Sequence, residues 1–95
     1  MPIRTDVPKL EAIPNVGPAI AGDLRLIGLT SPADLVGKDP YELFETLCAM
    51  TGTRHDPCVI DVFISAVRYM EGAEPRKWWE YTSERKAFLQ GNDAK

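Results

Sequence analysis

Six of the eight prolines in this chain stand directly behind a residue that ends or caps a segment: Val7-Pro8, Gly17-Pro18, Ser31-Pro32, Asp39-Pro40, Asp56-Pro57 and Glu74-Pro75. Proline fits the first position of a helix, where its missing N–H costs nothing, and it pushes the residue before it out of the helical region. Each pair therefore reads as a helix start. Glycines at 28, 37, 52 and 72 follow at helix-like distances and read as stops. No segment alternates apolar and polar residues strictly enough for a strand. These signals predict an all-α protein, a compact bundle of about five to six short helices.

The segments can be placed one by one. A short first helix runs from Val7-Pro8 to Ala12, and a second opens at Gly17-Pro18, carries Ile20, Leu24 and Ile27 at helical spacing, and stops at Gly28. Ser31-Pro32-Ala33-Asp34 is a cap, a first position and an acidic first turn, ended by Gly37. Asp39-Pro40-Tyr41-Glu42 repeats the device with a capping-box glutamate and leads to about Thr51. Asp56-Pro57 opens the strongest helix, whose stripe Val59, Val62, Phe63, Ala66, Val67 and Met70 forms a wide apolar face before Gly72. Glu74-Pro75 starts a C-terminal aromatic helix over 75–90 with Trp78, Trp79 and Tyr81, restarting near Ser83, and 91–95 is a polar, flexible tail.

Ninety-five residues make one domain, 1–95, and 44% hydrophobic with 26% charged residues is ordinary soluble material. There is no apolar run long enough to span a bilayer and no signal-peptide core, so the expected location is the cytoplasm. Two cysteines, Cys48 and Cys58, suit a reducing compartment rather than a disulfide scaffold. The net charge of −3 argues against a strongly basic nucleic-acid binder, so the placement of individual cations decides that question.

One stretch, Ile13-Pro14-Asn15-Val16-Gly17-Pro18-Ala19-Ile20-Ala21-Gly22-Asp23-Leu24, has the form of the turn and second helix of a helix-hairpin-helix. Gly17 can take the positive φ that a tight inter-helix turn needs, and Asn15 is among the few other residues that tolerate it. Ala19, Ala21 and Gly22 keep the helix thin. Its start presents free N–H groups and the positive end of a helix dipole, which suits an anion. The longer order, IPNVGPAIAGDLRLIGL, then SPADLVGKDPYELFETLCAMTGTRHDPCVIDVFISAVRYM, then Trp78-Trp79, resembles the bacterial pathogenicity-locus family of small helix-hairpin-helix proteins over roughly residues 7–82.

Several expectations follow from these resemblances. The first hairpin covers 7–28, and 40–71, with its turn at Gly52-Thr53-Arg54-His55-Asp56, is a diverged second copy. Such doubled, SAM-like units grip DNA phosphates. The implied phosphate-facing positions are Asn15, Val16, Gly17 and Ala19, assisted by Arg25, Arg54 and His55. The carbonyls of Glu11, Ile13 and Val16 are the implied holders of a monovalent cation. Lys9 is the other nearby cation. The plainer alternative is that the turn only joins two helices or docks a protein.

Other constellations carry weaker signals. Cys48, His55 and Cys58 invite a zinc reading, but the C-x6-H-x2-C spacing lacks a short knuckle and a fourth ligand, and Cys48 shares an apolar stripe with Phe44 and Leu47. Cys58 near a helix start, with His55 close by, has the makings of an activated thiol but no orienting third group. No catalytic signature and no cofactor motif appears, so the expectation is a non-catalytic module that takes no cofactor. Trp78 and Trp79, behind Arg76 and Lys77, point about 100° apart on a helix, so one is expected to face outward as a partner surface. The mixed-charge run from Ser83 to Leu89 is expected to be a solvated face. The leading expectation is weak, sequence-independent DNA binding, and the alternative is a protein-interaction or self-association module using Trp78 and Trp79.

Overall fold

A computed structural model describes residues 2–93. Among these residues there is no β-strand. The fold consists of four α-helices, α1 (Pro18–Leu26), α2 (Pro40–Thr51), α3 (Cys58–Met70) and α4 (Thr82–Asp93), and three 3-10 turns at Leu10–Ala12, Pro32–Leu35 and Trp78–Tyr81.

The proline starts hold at α1 and α2, which carry Pro18 and Pro40 in their first turns, and at the Pro32 turn. All four stop glycines adopt positive φ: 95° at Gly28, 80° at Gly37, 68° at Gly52 and 106° at Gly72. One expected helix does not form and another starts late. Between Pro8 and Pro14 the chain makes only the Leu10–Ala12 turn, with Lys9 extended before it and Ile13 extended after it. Pro14 bars Ile13 from the helical region, and the stretch left is too short to sustain a helix. Pro75 likewise starts nothing: 73–77 is irregular, Lys77 is extended, and the chain turns helical only at Trp78. At the other end α4 keeps helical backbone through Asp93, where a tail was expected from Gly91. Residues 94 and 95 of that expected tail lie outside the described residues.

Capping is local and carried by aspartates. Asp39 accepts from the Tyr41 N–H at 2.8 Å, and this carboxylate, not the expected Glu42 box, caps α2. Asp34 accepts from the N–H groups of Thr30 and Ser31 at 3.0 and 3.1 Å, and Asp56 accepts from the Cys58 N–H at 2.8 Å. Each carboxyl of Asp34 and Asp56 is held below its usual range by those backbone donors.

Helix α3 is the centre of the molecule. Its apolar stripe is wider than periodicity indicates, for every residue from Ile60 to Val67 is buried, including Asp61 and Ser65. It packs against α2, against the turns at 32–35 and 78–81, and against α4. Phe44, Leu47, Leu24, Leu35 and Leu10 close the core around Phe63 and Ile64. At the far end of α3, Arg4 donates to the carbonyls of Tyr69 at 2.8 Å and Ala73 at 2.9 Å, and its guanidinium lies 3.9 Å from the Tyr69 ring centre.

Asp61 has no exposed surface, and a buried carboxylate must be paired. Arg85 donates to it through Nε at 2.9 Å and Nη2 at 3.4 Å, and the Thr82 hydroxyl donates at 2.7 Å. This overturns the expectation that 83–89 is simply solvated, since Arg85 is 9% exposed. Beside it Arg68 grips Glu84 with both Nη groups, but in water-exposed surroundings. Removing a partner from a buried pair typically costs about 3–5 kcal/mol, whereas an exposed pair contributes about 0–1 kcal/mol. Arg85→Ala should therefore lower the urea unfolding free energy by an amount in the first range, and Glu84→Ala by an amount in the second.

Candidate nucleic-acid interface

The turn before α1 is built differently from its sequence reading. Asn15 holds the positive φ, 72°, while Gly17 is extended at φ −92°, ψ −175° and serves as the N-cap of α1. The correction has a clear cause. Asn15 can enter the left-handed region because its short amide finds partners, and here it finds two. Its Nδ2 donates to the Ser65 hydroxyl at 2.9 Å and to the Arg76 carbonyl at 2.6 Å, 61 residues away in sequence. The turn is thus latched onto α3 and onto the segment leading to Trp78.

Within the turn, the Val16 N–H is spent on the Ile13 carbonyl at 3.0 Å, and both side chains are buried in the core. Val16 therefore presents no spare donor, and one face of the Ile13 carbonyl is already used. The first bond of α1 runs from the Ala21 N–H to the Gly17 carbonyl at 2.9 Å. The N–H groups of Gly17, Ala19 and Ile20 lie ahead of that ladder, Pro18 has none, and no side chain caps this start. Of the expected phosphate set, Gly17 and Ala19 are the residues whose backbone faces such an opening; Asn15 acts instead as the brace.

The expected assisting cations are committed elsewhere. Arg25 forms a two-pronged pair with Glu11 at 2.8 and 3.0 Å, which holds the Glu11 carboxyl below its usual range and leaves Arg25 internally neutralised. Arg54 pairs with Glu45 at 3.0 Å and lies 5.2 Å over the Phe44 ring. His55 is bound through Nε2 to the Thr51 hydroxyl at 2.9 Å, and that hydroxyl also donates to the Leu47 carbonyl. The second turn is closed to an anion by Asp56, which already caps α3.

Two cations that sequence reasoning assigned to a separate aromatic cluster arrive beside the first turn. Arg76 is brought there by its own carbonyl bond to Asn15, and Lys77 follows it with its ammonium 5.2 Å from the Trp79 ring centre. Neither takes part in the ion pairs formed among the described residues. Trp78 packs against the core and Trp79 is 54% exposed, the two rings meeting edge to face at 5.5 Å. The outward tryptophan expected from sequence is thus Trp79.

The remaining cluster separates. Cys48 is buried and its sulfur takes the His55 N–H at 3.5 Å, while Cys58 stands at the start of α3 beside Asp56. Among the described residues no three His, Cys, Asp or Glu side chains are placed to hold a metal ion. The activated-thiol reading is corrected in sign: a hydrogen bond from the thiol to the Asp56 carboxylate, then burial, push Cys58 above the usual thiol range. The helix dipole is outweighed by a full charge at contact.

Among the described residues the protein is all-helical, with α1 starting without a side-chain cap and its turn tied to the segment that leads to the tryptophans. The pathogenicity locus family matches over residues 3–87, and the chain belongs to that family. It is 44% identical over 87 residues to the mitomycin resistance protein McrB of Streptomyces lavendulae, covering 92% of this chain and 83% of that protein. No solved structure matches it. Among the described residues no helix is long and apolar enough to cross a membrane.

Two outcomes follow from this geometry. Asn15→Gly keeps the turn's backbone but loses the latch, whereas Asn15→Ala loses both; urea titration should place Asn15→Ala below Asn15→Gly by about 1 kcal/mol, the usual penalty for a non-glycine residue in the left-handed region. Asp56→Asn should release Cys58 towards its ordinary ionisation, so iodoacetamide should alkylate that thiol faster than in the wild type at the same mildly alkaline pH.

Proposed function

We propose that this chain is a non-catalytic helix-hairpin-helix module that binds DNA weakly and without sequence preference. A backbone phosphate is received by the N–H groups of Gly17 and Ala19 at the start of α1. The observation that carries this reading is the contrast in capping. Asp39 and Asp56 fill the starts of α2 and α3 with their own carboxylates, while α1 begins at a glycine with no side-chain acceptor. An open helix start is an anion site in waiting.

In this reading the helices are paired as a doubled unit. The Leu10–Ala12 turn, the Asn15 turn and α1 are one hairpin; α2, the Gly52 turn and α3 are the second, self-capped copy, which supports the first and takes no phosphate. Arg76 and Lys77 supply the local charge that an acidic protein otherwise lacks, and Trp79 offers a ring on which an unpaired base can stack. Carried to this chain, the name of the Streptomyces relative suggests a part in mitomycin tolerance, which survival of an expressing host under the drug measures directly.

The alternative is a protein-interaction module on the same face, favoured by the 54% exposure of Trp79 in a chain of net charge −3. Fluorescence anisotropy of labelled duplex, nicked and single-stranded DNA at low salt separates the two. Gly17 is extended, and a Cβ there meets nothing within 4 Å, so Gly17→Val folds and sets a branched side chain beside the N–H groups. The expected result is binding that weakens with salt, is lost in Gly17→Val, and has a salt slope lower by about two in the Arg76→Ala, Lys77→Ala double variant. Unchanged affinity in folded Gly17→Val overturns the reading. Self-association or partner capture lost in Trp79→Ala, without any DNA binding, establishes the alternative.

A further inference from the structure

A groove of about 490 Å³ opens between the first half of α2 and the outer half of α4, away from the Asn15 turn. Its floor is aromatic and aliphatic. The rings of Tyr41 and Phe88 stack with centroids 3.7 Å apart and planes within 15°, and Ile60 and Leu89 complete the apolar surface. Phe88 is 42% exposed, so this ring pair is open to solvent at the groove and is not sealed in the core.

The rim is of one sign. Asp39, Glu42 and Glu45 line it, and no lysine, arginine or histidine does. Asp39 is engaged with the Tyr41 N–H and Glu45 with Arg54, while Glu42 is in no ion pair among the described residues. The Tyr41 phenol is pushed above its ordinary range, by burial first and next by the negative field of Glu84. An anion entering this groove meets a rim on which only Glu45 has a cationic partner, and a neutral ligand gains only the apolar floor. A flat organic cation gains the floor, the electron-rich ring faces and the carboxylate rim together.

We infer that this groove is a binding site for a small aromatic cation, which lies on the Tyr41–Phe88 stack with its charge towards Glu42. The volume lies within the range of small-molecule sites, about 300–1,000 Å³. Its residues are distinct from those of the DNA reading, so the two stand or fall separately.

The test uses N-methyl-4-phenylpyridinium and its near-isostere 4-phenylpyridine, which is uncharged at neutral pH, titrated into the 15N- and 13C-labelled full chain. The expected result is saturable shifts at Tyr41, Glu42, Phe88 and Leu89, with the cation bound at least about tenfold more tightly than the neutral compound, a difference of about 1.4 kcal/mol. Glu42→Gln should remove most of that preference while leaving the neutral compound's affinity in place, and Phe88→Ala should weaken both. Both positions are exposed, and an unchanged circular dichroism melt shows that each variant is folded. Gly17→Val should bind the cation as the wild type does. Equal affinity for the two compounds overturns the proposal. Shifts centred elsewhere, or no saturation up to the solubility of the cation, overturn it as well.

Discussion

Everything in this fold answers to the burial of α3. A helix covered over a full eight residues, Ile60 to Val67, cannot be served by one neighbour, and the chain surrounds it with α2, α4 and two 3-10 turns. Because the helix is enclosed, its two polar residues become obligations. Asp61 requires Arg85 and Thr82, which fixes the docking of α4. Ser65 requires a partner too, and receives the amide of Asn15, which fixes the first turn. The outer elements are positioned by polar demands as much as by apolar contact.

What was legible in the sequence was local. A proline at a helix start, an aspartate two residues before the N–H it caps, and a glycine after the last turn act within four residues, and these were placed correctly for α1, α2 and their stops. The start of α3 fell one residue late, which is within the fraying of any helix end. The failures came where local signals competed. Pro8 was a start signal overruled by Pro14, and Pro75 was one overruled by an extended segment held through its Arg76 carbonyl.

The candidate site was half legible. That the turn at 13–19 precedes an open helix start could be read directly, because no acidic or hydroxyl side chain stands at 17. That Asn15 rather than Gly17 takes the positive φ could not, since the deciding partners lie at 65 and 76. Nor could the silencing of Arg25 by Glu11, fourteen residues back, be told from a free surface arginine. One signal was passed over: a carboxylate at 61 between Ile60 and Val62, on the most apolar helix, has nowhere to go but inward. It demanded a cation elsewhere in the chain, and Arg85 was available.

The bond from Asn15 to Arg76 also sets an order of events. The first turn contains only early residues, yet its left-handed residue is braced by a carbonyl that is synthesised 61 residues later. Until then the nascent turn lacks the brace, and the helix start it presents is not held in its final orientation. The orientation of the α1 start is therefore completed together with the docking of the tryptophan segment and not before it. A growing chain holds the α1 start in its final orientation only after the segment carrying Arg76 has docked on the turn.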